Sequence, residues 1–303
     1  MASSPYAGSR FQVSIDGKFP GFVFSVSGGD ITAEVYESKL GAHNVVAKNI
    51  TTVKYDEITI EGTPAQSGIL ADWIAASWNG DYQKKDIEVA IADANGNIQM
   101  TKTLHGCLLT SVKISACDAS SKDNGKWTIK AKPDFSRISI GGGGKVKGDL
   151  GKNVAKNWLC SNFRLVIDGL DCTHTGKVQE LEWSQKLADA PAGEQREYVN
   201  VPASVSWPSL KWEVLAHSGA KTHYDWFKSF VIEGKCGPGD ERGGELTMLS
   251  ADHKRELGSV IFHNLGITKF KYSDVKAGDE KAQKCEMEAY CEKMDVKLGE
   301  KDM

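Results

Sequence analysis

Phe11, Val13 and Ile15 alternate with polar residues and stop at Asp16-Gly17, the period-two pattern of a half-buried strand closed by a turn. Residues 21–37 stay β-rich, with a break or bulge expected at Gly28-Gly29. A polar segment over residues 38–52 follows, then a strand through Tyr55, Ile58 and Ile60. Between residues 66 and 79 the period changes: Leu70, Trp73, Ile74 and Ser77 fall on one helical face, and Gly80 suits the stop. Strands are expected around residues 87–91 and 98–115, joined by a hairpin at Asn95-Gly96, and a last one carries Trp127, Ile129 and Ala131.

The same order then returns. Phe163, Leu165 and Ile167 before Asp168-Gly169 repeat the opening at an offset of 163 − 11 = 152. Trp73 and Trp226, each late in a helical pattern, lie 226 − 73 = 153 apart. The run from Leu104 matches the run from Phe262 without a gap, at 262 − 104 = 158, pairing His105 with His263 and Lys113 with Lys271. One order of elements with slowly drifting offsets points to a tandem duplication. The second helix is expected over residues 220–232, with Ser218 as N-cap and Gly234 past its end. The fold expected is mainly β (α+β): two tandem small antiparallel β-barrels, each with one helix between its third and fourth strands. The first barrel spans residues 1–138, a Gly-rich linker 139–159, and a second, divergent barrel 160–303.

Composition narrows the chemistry. A length of 303 residues suits two domains, and a net charge of −3 with a pI near 6.2 gives no general nucleic-acid or membrane-surface signature. No stretch approaches the roughly 20 apolar residues that cross a bilayer, and the N-terminus has no apolar core for a signal peptide. The seven cysteines are odd in number and form no Cys-x-x-Cys pair, so reduced, mostly buried thiols are expected. Gly144-Lys145 looks like the end of a phosphate loop, but Ser139 stands where its first Gly belongs and Val146 where Ser or Thr would hold magnesium. Asp93, Asn95 and Asn97 resemble calcium ligands, yet Gly96 is misplaced and a hairpin turn explains them. His217, His223 and Cys236 match no zinc spacing, and the paired His105 and His263 suit a shared structural role. Trp73, Trp78, Trp127 and Trp226 sit at core-like positions, which favours packing over base stacking. No catalytic constellation, cofactor site or metal site emerges, and no enzymatic activity is expected.

The residues Phe11 to Gly17, the run Phe24, Val26 and Gly28, then Glu34, resemble the opening of contractile-tail tube proteins. Lys54-Tyr55, Ile58 to Gly62 and a helix with Leu70 and Trp73 resemble that family's central part. The second copy is more divergent, and Pro208 would weaken strand pairing ahead of its helix. The resemblance implies a ring of barrels that stacks into a hollow conduit for a payload or genome. Its implied partners are further copies of the chain, sheath proteins and baseplate or spike proteins, without membrane insertion. It also implies folding and assembly in the bacterial cytoplasm, as part of a phage tail or injection particle. Two barrels per chain leave the arrangement open: a six-fold ring, three chains closing a pseudo-six-fold ring like a hub between tube and spike, or one barrel building the tube while the other decorates it. From other classes, a monomeric small-ligand-binding barrel and a tube-borne effector remain alternatives.

Residues 38–52 and 188–206 are long for hairpin connections, where about two to five residues are usual. Each is either a surface loop or an arm packing on an adjacent barrel, and the resemblance favours the arm. His43, Asn44, Val45, Val46, Glu197, Tyr198 and Val199 are the assembly candidates. Val45→Asp or Val46→Asp is expected to spare the fold and block assembly.

Overall fold

The computed structural model describes residues 11–20, 23–39, 46–63, 68–93, 95–141, 144–146, 158–191, 198–217, 219–273 and 282–298. In the first half, β1 (Phe11–Ile15), β2 (Val23–Gly28), β3 (Ile31–Lys39), β4 (Val46–Tyr55) and β5 (Ile58–Gly62) precede helix α1 (Gly68–Trp78). Strands β6 (Lys85–Ala92), β7 (Ile98–Ile114), β8 (Cys117–Asp118), β9 (Trp127–Lys132) and β10 (Phe135–Ile140) follow it. The second half runs β11 (Phe163–Ile167), β12 (Thr175–Val178), β13 (Leu181–Pro191), β14 (Tyr198–Ser206) and β15 (Leu210–Leu215) before helix α2 (Ala220–Phe227). That helix continues as a π-turn (Lys228–Ile232) into β16 (Arg242–Leu249), β17 (Glu256–Tyr272) and β18 (Lys284–Leu298).

The protein is mainly β, and the strands wrap in antiparallel order β1-β6-β7-β9-β5-β2 in one half and β11-β16-β17-β18-β15-β12 in the other. Helix α1 buries Leu70, Trp73, Ile74 and Ser77, the face its period specifies, and Trp73 donates its indole N–H to the Gln83 carbonyl at 2.9 Å. Gly80, at φ +83, closes that helix in the left-handed conformation a side chain disfavours.

Three expectations are corrected. The helix follows the fifth strand of each half and not the third, because two further strands were hidden in segments expected to be continuous or irregular. As expected, the ladder breaks at Gly28-Gly29, with φ +81 and +67; β2 ends there and β3 continues along the same hairpin, since Gly28 pairs with Ile58 and Ile31 with Tyr55. Within residues 38–52 and 188–206, the described residues are strand and pair β3 with β4 and β13 with β14. Pro208 does not weaken the strand before α2, since β15 begins after it and pairs on both edges, with β12 and β18. Pro133 instead marks the break between β9 and β10, where the second half runs on unbroken as β18. Ser218 lies outside the described residues, and Gly219 occupies the cap of α2 without a side-chain bond. Ser139 and Ile140 complete β10, and the linker residues Gly144 and Val146 bond to Ile98 and Gly96 of the β6–β7 hairpin.

The ladders of the two halves have the same irregularities in the same places. A bulge between Ala33 and Val35 in β3–β4 answers one between Gln185 and Leu187 in β13–β14, at 185 − 33 = 152. The bulge after Val23 in β2 answers that after Thr175 in β12, at 175 − 23 = 152. The bulge between Leu109 and Ser111 answers that between Ile267 and Lys269, at 267 − 109 = 158.

The halves share one core. Buried residues from both join a single apolar cluster that includes Trp73, Trp78, Trp158, Trp183 and Trp212. Strand β13 pairs with β7, Leu181 to Ile114 through Ser184 to Ser111, and β12 pairs with β8. Trp183→Ala should therefore cost about 3–5 kcal/mol, the usual toll of truncating a fully buried Trp. Denaturant unfolding followed by circular dichroism measures it, and a loss under about 1 kcal/mol would place Trp183 outside the shared core.

Glu61 of β5 accepts from the Lys126 ammonium at 2.7 Å and the Ser25 hydroxyl at 3.0 Å. The hydrogen bond from Lys126 holds its carboxyl below the ordinary value of 4.5, against a smaller upward push from burial. A depressed carboxylate stabilises above its unfolded pKa, and that contribution disappears as pH falls through the folded value. The melting-temperature gap between wild type and Glu61→Gln should be open at neutral pH and close as pH falls below 4.5.

Candidate assembly interface

The junction between the halves is the most developed interface in the chain. Strand β7 is 17 residues long, and its ladder with β6 ends at Cys107, so residues 111–114 extend past that partner. Backbone donors and acceptors on a free edge call for another strand, and β13 supplies it through residues 181–184. The Ser111 hydroxyl donates to Glu182 at 3.0 Å, and the Lys113 ammonium pairs with Glu180 at 2.8 Å. Trp78 at the end of α1 meets Trp183 with ring centroids 6.4 Å apart and Trp207 at 5.8 Å, edge-on to the latter.

The β13–β14 hairpin also reaches over the corner between β9 and β10. Asn200, almost fully buried, donates its side-chain amide to the Pro133 carbonyl at 2.8 Å. Its backbone N–H donates to Asp134 at 2.7 Å, and Lys132 pairs with Asp189 at 2.9 Å. A strand edge, an aromatic cluster and a buried polar clamp thus hold the second half of the chain against the first.

Of the assembly candidates, His43, Asn44, Val45 and Glu197 lie outside the described residues. Val46 starts β4 opposite Lys39, and Tyr198 and Val199 are exposed at the start of β14, opposite Pro191 and Ala190. The described candidates therefore sit at the far ends of two hairpins. Sequence reading missed Trp183, Trp207, Glu182, Asn200 and Asp134. The available signal was the alignment of the two halves, in which Trp183 and Trp207 fall opposite Ile31 and Tyr55, at 183 − 31 = 152 and 207 − 55 = 152.

The other chemistry-bearing residues are otherwise engaged. The Asp93 carboxylate accepts from the backbone N–H groups of Asn95 and Asn97 and from the side chains of Asn97 and Gln99, which closes the hairpin turn. His105 and His263 each meet an aspartate, Asp86 and Asp295, at 2.8 Å. His223 is buried, which lowers its pKa, and it approaches Cys172 at 4.0 Å, whereas Cys236 is exposed. Among the described residues, no group of three or more His, Cys, Asp or Glu side chains is arranged to hold a metal. All seven cysteines are free and five are buried; burial pushes the Cys172 thiol up to about 11. Among the described residues, no helix is long and apolar enough to cross a membrane.

Val46→Asp should leave the melting temperature within a few degrees of wild type, as expected for a substitution away from the core. The same variant should lose association in sedimentation velocity, and unchanged association would remove Val46 from the interface.

The family model of the T4-like virus tail tube protein gp19 matches residues 8–130. No curated protein matches the chain. A solved tube terminator of an extracellular contractile injection system, the PVC sheath/tube terminator in the extended state, is 24% identical, with a TM-score of 0.40 over 46% of this chain and 100% of that one. The PVC sheath–tube complex in the extended state contains a chain 28% identical, with a TM-score of 0.40 over 45% of this chain and 93% of that one. Hcp1 from Flavobacterium johnsoniae is 15% identical, with a TM-score of 0.28 over 47% and 99%. Residues 8–130 are thus similar to the T4-like virus tail tube protein family.

Proposed function

We propose that this protein is a structural, non-enzymatic ring-forming subunit of the inner tube of a contractile injection apparatus, built by tandem duplication of one tube barrel. The observation that carries the reading is the junction between the halves: a chain similar to the tube family over residues 8–130 already contains one barrel-to-barrel joint, made by strand pairing. The shared bulges, at offsets of 152 in the earlier strands and 158 in the later ones, support the duplication and equivalent edges on the two halves. Joints of this kind are head-to-tail, so copies that repeat the internal rotation generate a closed ring or an open helix.

In this reading, residues 1–138 and 160–303 are successive units around a hollow channel that carries a payload or genome. Three chains would supply six barrels. Stacked rings would contact sheath proteins outside and baseplate or spike proteins at the end, in a particle assembled in the bacterial cytoplasm. A second reading, a three-fold hub or adaptor at the tube's end, is favoured by the pairing of two barrels in one chain. It differs only in whether rings stack.

Native mass spectrometry with negative-stain imaging across a concentration series separates the readings. Rings that stack into open-ended tubes are expected; closed trimers that never stack would favour the hub. A persistent monomer would overturn both and move weight to a ligand-binding barrel or an effector.

A further inference from the structure

The internal joint has a donor edge and an acceptor edge; each recurs in the other half, where among the described residues the two are not paired with one another. By the offset of 158, residues 111–114 of β7 correspond to residues 269–272 of β17. By the offset of 152, residues 181–184 of β13 correspond to residues 29–32, at the start of β3. Residues 269–272 pair with β18 on one side, and among the described residues no strand pairs with the other. Among the described residues β3 pairs with β4 alone, as the outer part of the hairpin that β2 and β5 begin.

Burial follows the same division. Trp183 is 0% exposed in the joint and its counterpart Ile31 is 42% exposed; Ile114 is 1% exposed and its counterpart Tyr272 is 59% exposed. Trp78 is buried against Trp183 and Trp207, whereas Val231 and Ile232, at the corresponding end of the second helix, are exposed. Apolar side chains at an open strand edge in one copy have their mates on the opposite end of the same chain.

The polar positions carry complementary charge. Ser111 and Glu182, hydrogen-bonded in the joint, correspond to Lys269 and Asp30, at 269 − 111 = 158 and 182 − 30 = 152. Asp134 and Asn200 correspond to Glu292 and Lys48, at 292 − 134 = 158 and 200 − 48 = 152. At the corresponding outer positions the neutral member of each internal pair is a lysine and the other a carboxylate; within the chain Asp30 pairs with Lys102 at 3.2 Å, Lys48 with Glu37 at 2.6 Å, and Glu292 accepts from Asn264 at 2.7 Å.

We propose that the occupant of the open β17 edge is a second copy of this chain, whose residues 29–32 pair with residues 269–272 in the register of the internal joint. Thr32 then lies opposite Lys269, as Ser184 lies opposite Ser111. Ile31 and Tyr55 of the incoming copy cover Val231, Ile232 and Tyr272, and Asp30 and Lys48 meet Lys269 and Glu292. Successive joints around the ring are thus alternately covalently tethered and free. The proposal rests on the ring-forming reading and specifies the surface and register through which it operates.

Cysteine cross-linking of the full chain tests it. In a Cys236→Ser background, Thr32→Cys with Lys269→Cys, oxidised at a concentration where native mass shows association, should give a ladder of covalent multimers on a non-reducing gel. Each single variant, and Phe19→Cys with Lys269→Cys, should give none. Association without the ladder, or an equal ladder from the Phe19 control, overturns this register while leaving ring formation standing. A monomer at every concentration overturns both. In a parallel measurement without cysteines, Asp30→Lys and Lys269→Asp should each weaken association about tenfold, roughly 1.4 kcal/mol, and the two in one chain should restore it. Wild-type association by both single variants would overturn the pairing.

Discussion

Backbone hydrogen bonding at a strand edge sets the terms for the whole architecture. A strand of 17 residues crosses from one sheet surface to the next, and the partner that covers its first part cannot cover its last. The unpaired end must meet water, a covering element or another strand. In the first barrel it meets β13, and one connected apolar core forms across the two halves. The second barrel has an equally long strand, β17, and its end is left uncovered by any described strand of this chain. Everything proposed about assembly follows from that inequality between two otherwise matching edges.

The bulges give the edges their direction. Each one inserts a residue into one strand and bends it, so the strands curve into a barrel and aim their ends outward. Their recurrence at offsets of 152 and 158 means that both barrels aim their long strands alike, since identical registers produce similar curvature. Matching positions differ where their surroundings differ: Trp183 is buried in the joint, and Ile31, at the matching position, is 42% exposed. The polar residues change in step, from a serine–glutamate hydrogen bond inside to a lysine and an aspartate at the ends.

Much of the barrel was legible in the sequence, because its strands have one wet face and one dry face. Val13 and Ile15, Ile58 and Ile60, and the helix face of Leu70, Trp73 and Ile74 were read correctly for that reason. The hairpin arms were not. Strand β4 exposes Lys48, Asn49, Ile50 and Thr51 in succession, so it lacks the alternation that identifies a strand and reads as loop. Missing those strands shifted the count and moved the helix from after the fifth strand to after the third. Pro208 was misjudged because a proline two residues ahead of a strand looks, in sequence, like one within it. The joint was illegible for a different reason: it pairs residues 111–114 with residues 181–184, and no local pattern encodes which distant strand an edge will take. The alignment of the two halves contained the missing information in the form of Trp183 against Ile31, but only the structure shows that one is buried and the other is not.

Amide hydrogen exchange with residue-level mass spectrometry tests the central claim most directly, by following residues 111–114 and 269–272 in one sample at low and high concentration. The account predicts that the first edge is protected at every dilution, because its partner strand belongs to the same chain. It predicts that the second edge exchanges quickly when dilute and gains protection as copies associate. Association that leaves residues 269–272 as fast as before would contradict it.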